Sequence, residues 1–240
     1  MRLHTILSPQ LFPLFSDDVV GKQVLIIDIL RATTSMVVML ENGAISVKPV
    51  SGVGEALGLK RENPNLLIAG ERNGYKVEGF DFGNSPQEFT RDRVSGASLV
   101  ITTTNGTQAL SLSLEASHIW VGGFLNLDAL VEAMAAVGED VFLFCAGWKG
   151  HVNLEDTLFA GAVAKALTLK GAEITDDATR AAIVLWEQAK SDVHSFLSEA
   201  SHVKRFQSMH AESDLDACLR MNTSEKAIIY QNGVLVAIPS

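Results

Sequence analysis

The alternation of apolar and polar positions divides the chain into short apolar runs and longer stretches of helical periodicity. Residues 24–27, VLII, form a continuous apolar, largely β-branched run, as in a strand covered on both faces, and Asp28 follows directly. The next stretch, 34–41, reads as a helix that Asn42-Gly43 ends with a left-handed cap. Further strands are predicted at 45–50, 66–70, 98–102, 119–121 and 141–145. Helices are predicted at 53–62, from near 108, at 126–137, 153–169 and 176–200. Residues 1–23 read as an irregular start, 73–93 as a loop without periodicity, and 201–225 as a polar stretch that is helical in part. At 227–238 two apolar runs flank Asn232-Gly233, the signature of a type I′ hairpin turn.

Repeated strand, turn and helix imply an α/β fold: a mainly parallel sheet with helices on both faces and a C-terminal β-hairpin. One domain, residues 1–240, is expected, with a helical subdomain around 176–225. Ligands in such sheets bind beyond the carboxyl ends of the strands. Asp28, Glu71, Thr103–Thr107 and the segment 146–156 all follow strands, so one site can gather them.

The residue types at those ends suit an anion and a hard cation. Asp28 is followed within a turn by Arg31, Thr33 and Thr34, a carboxylate with a planar cation and two hydroxyls. It reads as a metal ligand, a nucleophile or a simple helix cap. Leu30 stands where phosphatases that use an aspartate nucleophile commonly carry a second Asp, which favours the ligand role. Thr102-Thr-Thr-Asn-Gly-Thr107 is a turn whose amides can cradle an anion, although it is neither a Walker loop nor a dinucleotide fingerprint. Glu71, Asp81, Glu155 and Asp156 supply more carboxylates than Mg²⁺ needs, and the last two equally suit a helix start. Arg72 and Lys149 are cations available to a second anionic group of a substrate. Cys145, with His151 as base, is the alternative nucleophile, that of a cysteine amidohydrolase.

Composition narrows the partners. A chain of 240 residues that is 47% hydrophobic can bury a large core without staples. Its net charge of -9 and the absence of a Lys/Arg run exclude a phosphate-backbone tracker, so no nucleic acid partner is expected. Cys145 and Cys218 form no C-x-x-C, which fits a reducing compartment. Pro9 and Pro13 interrupt the N-terminal apolar run, so it does not read as a signal peptide. No apolar stretch reaches the ~18 residues of a bilayer span. A cytoplasmic protein without membrane partners is expected, and a homo-oligomer is compatible with the sequence.

The strings VLIIDILRATTS, AGERNGYKVEGFDFGNSP, TTTNGT and CAGWKGHVNLEDTLFAGA, in this order and at these separations, resemble the 2-phosphosulfolactate phosphatase family. The resemblance runs over about residues 22–165 and weakens toward the C-terminus. It implies a Mg²⁺-dependent phosphatase that converts a phosphorylated, sulfonated 2-hydroxy acid to sulfolactate and phosphate. On that footing Asp28, Arg31 and Asp81 are assigned to catalysis. Substrate contacts are assigned to Thr33, Thr34, Arg72, Thr103, Thr104, Asn105, Gly106 and Thr107, and Mg²⁺ to Asp28, Glu71, Asp81 and Asp156. Ser35 stands where a third threonine is common in the family, which keeps the hydroxyl. A non-catalytic binder of phosphorylated metabolites would use the same cradle without turnover.

Overall fold

The computed structural model describes residues 1–208 and 212–239. Its first half carries β1 (Arg2–Ile6), β2 (Gln23–Ile27), α1 (Ala32–Glu41), β3 (Ser46–Pro49), α2 (Val53–Glu62), β4 (Leu67–Arg72), β5 (Tyr75–Lys76), α3 (Arg91–Val94), β6 (Ser98–Thr102) and α4 (Gly106–Leu112). The second half carries β7 (His118–Gly122), α5 (Leu127–Val137), β8 (Val141–Cys145), α6 (Leu154–Leu169), β9 (Glu173–Ile174), α7 (Asp177–Ala189), α8 (Val193–Leu197), α9 (Ser201–Ser208) and α10 (Glu212–Cys218). The chain closes with the hairpin β10 (Lys226–Gln231) and β11 (Val234–Pro239). No helix of the described residues is long and apolar enough to cross a membrane.

The strands form one mixed, mostly parallel sheet in the order β5-β4-β6-β3-β11-β10-β7-β2-β8-β1-β9. Strand β2 explains its own apolar run. Leu25 and Ile27 point into a core shared with α5 and α6, while Val24 and Ile26 point into a second core shared with α1 and α4. Both faces are therefore dry, as a buried parallel strand requires. A third cluster, Val50, Ala56, Ile68, Phe80 and Val100, packs α2 on the β4–β6 side.

The hairpin is present, with Asn232 and Gly233 at φ 51° and 84° as a type I′ turn needs. It is not an appendage, however, because β11 pairs with β3 and β10 pairs with β7, both antiparallel, so the hairpin sits in mid-sheet. Three successive antiparallel pairings reverse the local direction between the β4-β6-β3 group and the β7-β2-β8-β1 group. The five strand steps from β6 to β2 accumulate a twist of roughly 100–125°. Carboxyl ends from both groups consequently meet in one pocket, rather than along a single edge as the sequence predicts.

Among the elements that depart from the sequence reading, three are instructive. Residues 2–6, expected to be irregular, form β1 between β8 and β9. Only that long-range pairing identifies so short a strand. Two residues of the expected 73–93 loop form β5 against the end of β4. The helix expected over 176–200 starts as predicted, with Asp176 accepting from the Thr179 N–H at 2.6 Å, but it breaks after Ala189. There Asp192 starts α8 by accepting from the Ser195 N–H at 2.9 Å, a cap signal hidden inside an otherwise periodic stretch. The 201–225 stretch is helical in part, as expected, over Ser201–Ser208 and Glu212–Cys218, and residues 209–211 lie outside the described residues. Val203, Phe206, Cys218 and Leu219 bury in the same core as β2.

Candidate active site

The turn after β2 is built by the hydroxyls of the first motif. Thr33 Oγ1 donates to the Asp28 carbonyl at 2.9 Å and accepts from the Asp28 N–H at 3.0 Å. Thr34 Oγ1 donates to the Ile29 carbonyl and Ser35 Oγ to the Asn84 carbonyl, each at 2.9 Å. All three hydroxyls are fully buried. Thr33 and Thr34, expected among the substrate contacts, thus spend their hydrogen bonds on the turn, and Asp28 and Arg31 are the residues it presents to the pocket.

That pocket is a narrow cleft, partly open to solvent. Asp28, Arg31, Glu71, Asn84, Thr103, Thr104 and Asn105 line it together with Trp148, His202, Arg205 and Phe206. Glu71, at the end of β4, is held by three donors: the Thr104 N–H at 3.0 Å, Thr104 Oγ1 at 2.8 Å and the Gly74 N–H at 2.7 Å. The left-handed pair Asn73 and Gly74, φ 55° and 89°, makes the tight turn that brings the last of these into reach. Gly74 also accepts from Arg31 Nη2 at 3.3 Å, which links the two strand ends. The cradle predicted at Thr103–Thr107 is therefore partly committed to the protein itself. Thr107 Oγ1 donates back to the Thr103 carbonyl at 2.8 Å. At Gly106 a Cβ would stand 2.9 Å from the Ala32 Cβ and 3.2 Å from Asp28 Oδ2, so only glycine lets this turn approach the carboxylate.

Two carboxylates dominate the pocket. Asp28 is buried, its Oδ1 accepting from the Ala32 N–H at 3.3 Å, and burial pushes its carboxyl up to about 6, with Glu71 and Glu155 adding to the rise. Such a group is short of positive charge. No cluster of three or more His, Cys, Asp or Glu side chains suited to a metal occurs among the described residues. Mg²⁺ needs only one or two carboxylates besides waters and substrate oxygens, so Asp28 and Glu71 fit it.

The other residues assigned by sequence lie elsewhere. Asp81 pairs with Lys60 Nζ at 3.0 Å and accepts from the Ile68 N–H at 2.8 Å, and it does not line the pocket. Asp156 accepts from two amides, Ile29 N–H at 2.9 Å and Gly147 N–H at 3.1 Å, and so ties the ends of β2 and β8 together behind the site. Burial and the adjacent Glu155 raise its carboxyl well above the usual range. Arg72 donates to the Glu71 carbonyl at 2.6 Å and to Thr102 Oγ1 at 3.0 Å. Cys145 is wholly buried in the core, and burial with Asp156 and Glu155 drives its thiol up, away from the thiolate a nucleophile requires. Cys145→Ala is expected to keep kcat/KM within about threefold of the parent, and a thousandfold loss in a folded variant would restore the nucleophile role.

Sequence reasoning missed His202, Arg205 and Phe206, all on α9, and Trp148. Glu155 Oε1 lies 2.5 Å from His202 Nδ1, and Arg205 Nη2 lies 3.1 Å from His202 Nε2. Trp148 stands within the CAGWKGH string, but nothing local marks the histidine and arginine of a polar helix some fifty residues later.

Comparison with known proteins adds to this geometry. The family model described as 2-phosphosulpholactate phosphatase matches residues 12–233. A protein of Thermotoga petrophila is 41% identical over 211 residues, covering 88% of this chain and 90% of that one. One of Clostridium acetobutylicum is 34% identical over 239 residues, covering 98% of this chain and 100% of that one. Each carries the name "Probable 2-phosphosulfolactate phosphatase".

Proposed function

Because the chain belongs to the 2-phosphosulpholactate phosphatase family, we propose that it is a phosphoric monoester hydrolase that converts 2-phosphosulfolactate and water to sulfolactate and phosphate, with Mg²⁺ as its metal. The observation that carries this reading is the pairing, in one small pocket, of two carboxylates, Asp28 and Glu71, with the guanidinium of Arg31. Carboxylates alone would repel a phosphate ester, and an arginine alone would leave no place for a cation.

Asp28 and Glu71 are the residues that would hold Mg²⁺, which when bound neutralises phosphate charge and polarises phosphorus toward attack. The rest is positioning, as phosphoryl transfer mostly requires. Arg31 lines the pocket from the β2 turn and meets the phosphate with the N–H groups that Asp214 and the Gly74 carbonyl leave over. Glu71 cannot swing away, since Thr104 and Gly74 fix both of its oxygens. Asn84 Oδ1 is buried in the pocket with no donor among the described residues, which leaves it as an acceptor for the water that attacks phosphorus. The test is phosphate release from 2-phosphosulfolactate and simple phosphomonoesters, with Mg²⁺ and with EDTA. Turnover of the sulfonated ester that EDTA stops and Mg²⁺ restores is expected. Tight binding without release would instead make this a metabolite binder.

A further inference from the structure

2-Phosphosulfolactate carries a sulfonate and a carboxylate besides its phosphate, so it needs positive charge beyond the group that meets the phosphate. Of the cations expected from sequence, Arg72 is bonded to Glu71 and Thr102, and Lys149 lies 4.5 Å from the Trp148 ring in an adjoining depression, beyond Thr104 and Asn105 and beside Pro9 and Gln108. Arg205 lines the pocket itself. A buried chain of side chains sets its position. Glu155 is wholly buried, its Oε1 is 2.5 Å from His202 Nδ1, and His202 Nε2 is 3.1 Å from Arg205 Nη2.

A guanidinium has only donors, so Nε2 accepts; Nδ1, with the Glu155 carboxylate at 2.5 Å and the Asn153 amide at the longer 3.2 Å, is assigned the proton toward Glu155. Carboxylate, imidazole and guanidinium are thereby aligned in one direction. The Arg205 Cζ also stands 4.0 Å from the centroid of the Trp148 ring, which fixes the plane of the fork. Burial lowers the pKa of Arg205, Glu71 raises it, Arg31 lowers it, and Glu155 and Asp28 raise it.

Resting on the phosphatase reading, we propose that Arg205 binds the sulfonate of the substrate, held in place by Glu155 and His202 and stacked on Trp148. Arg205 then sets the choice between phosphorylated hydroxy acids with and without a sulfonate, and His202 is a positioning residue that acts through it.

Two measurements on the full chain with Mg²⁺ test this: calorimetric binding of sulfolactate, lactate and inorganic phosphate, and steady-state hydrolysis of 2-phosphosulfolactate and 2-phospholactate. In Arg205→Met, sulfolactate binding is expected to weaken roughly 10- to 100-fold, the scale of a lost charge-assisted contact, with phosphate binding changed less than about threefold. KM for the sulfonated ester should rise with kcat held, while 2-phospholactate hydrolysis barely changes. Arg205→Lys should recover part of the loss, and a thermal melt confirms that each variant is folded. His202→Ala should show the same selective defect, and adding it to Arg205→Met should cost nothing more. Unchanged sulfolactate affinity in Arg205→Met, or equal weakening on both esters, would overturn the proposal. If the parent protein hydrolyses neither ester, the phosphatase reading falls on its own, and calorimetry of sulfolactate against lactate still decides the role of Arg205.

Discussion

Asp28→Asn is expected to lower phosphate release by at least about a thousandfold without weakening the metal-free fold, the scale of removing a preorganised electrostatic group. The substitution is nearly isosteric, and the amide oxygen it introduces can still accept from the Ala32 N–H, so the β2 turn has no reason to shift. What disappears is the negative charge. In the metal-free protein that charge is a burden: burial holds the carboxyl at about 6 against an ordinary 3.8. The folded state then binds more protons than the unfolded chain between those values, so stability falls as pH rises through that window and levels off above it. The shift corresponds to on the order of 3 kcal/mol near neutral pH. In EDTA, the Asp28→Asn variant should therefore melt several degrees above the parent at pH 7.5, and the gap should close toward pH 4.5. Mg²⁺ should raise the melting temperature of the parent far more than that of the variant, because only the parent keeps the carboxylate pair. A variant that turns over at the parental rate, or that melts well below it in EDTA, would sink the assignment of Asp28.

The gain in stability and loss of activity expected from this one substitution have the same origin as the legibility of Asp28 in the sequence. A carboxylate directly after a buried strand contradicts the local preference for burial, and such conflicts mark function. The strand itself, the hairpin turn at Asn232-Gly233 and the cap at Asp176 were legible for the same local reasons, because period, φ requirement and capping are written within a few residues. Less legible were properties fixed by distant partners. Asp81 reads as a ligand until Lys60 and the Ile68 amide occupy it, and Asp156 until the Ile29 and Gly147 amides do. The hydroxyls of Thr33 and Thr34 read as substrate contacts because sequence cannot tell a side chain that builds a turn from one that projects beyond it. Helix α9 carries no motif at all, and its histidine and arginine acquire meaning only through Glu155 and Trp148.

Arg31→Met is expected to damage both stability and turnover, and the two effects can be separated. The Arg31 guanidinium pairs with Asp214 of α10 through Nη1, donates to the Gly74 carbonyl through Nη2, and lies 5.2 Å from the Phe206 ring of α9. It therefore fastens the C-terminal helices to the end of β2. Asp214 is buried and accepts further hydrogen bonds from Ser85 Oγ at 2.5 Å and Gln87 Nε2 at 3.0 Å, so losing Arg31 strands a charge that is solvated only in part. Breaking such a buried pair costs about 3–5 kcal/mol. For a chain of this size that is a drop of roughly 6–20 °C in melting temperature. Turnover should fall by about 10²–10³ as the phosphate loses its cation. Asp214→Asn distinguishes the roles, because it removes the tether's charge and leaves the guanidinium in the pocket. Its melting temperature should fall, with kcat/KM kept within about tenfold of the parent. If Asp214→Asn loses as much activity as Arg31→Met, then Arg31 serves turnover only by holding the helices in place, and the phosphate must be met by another cation.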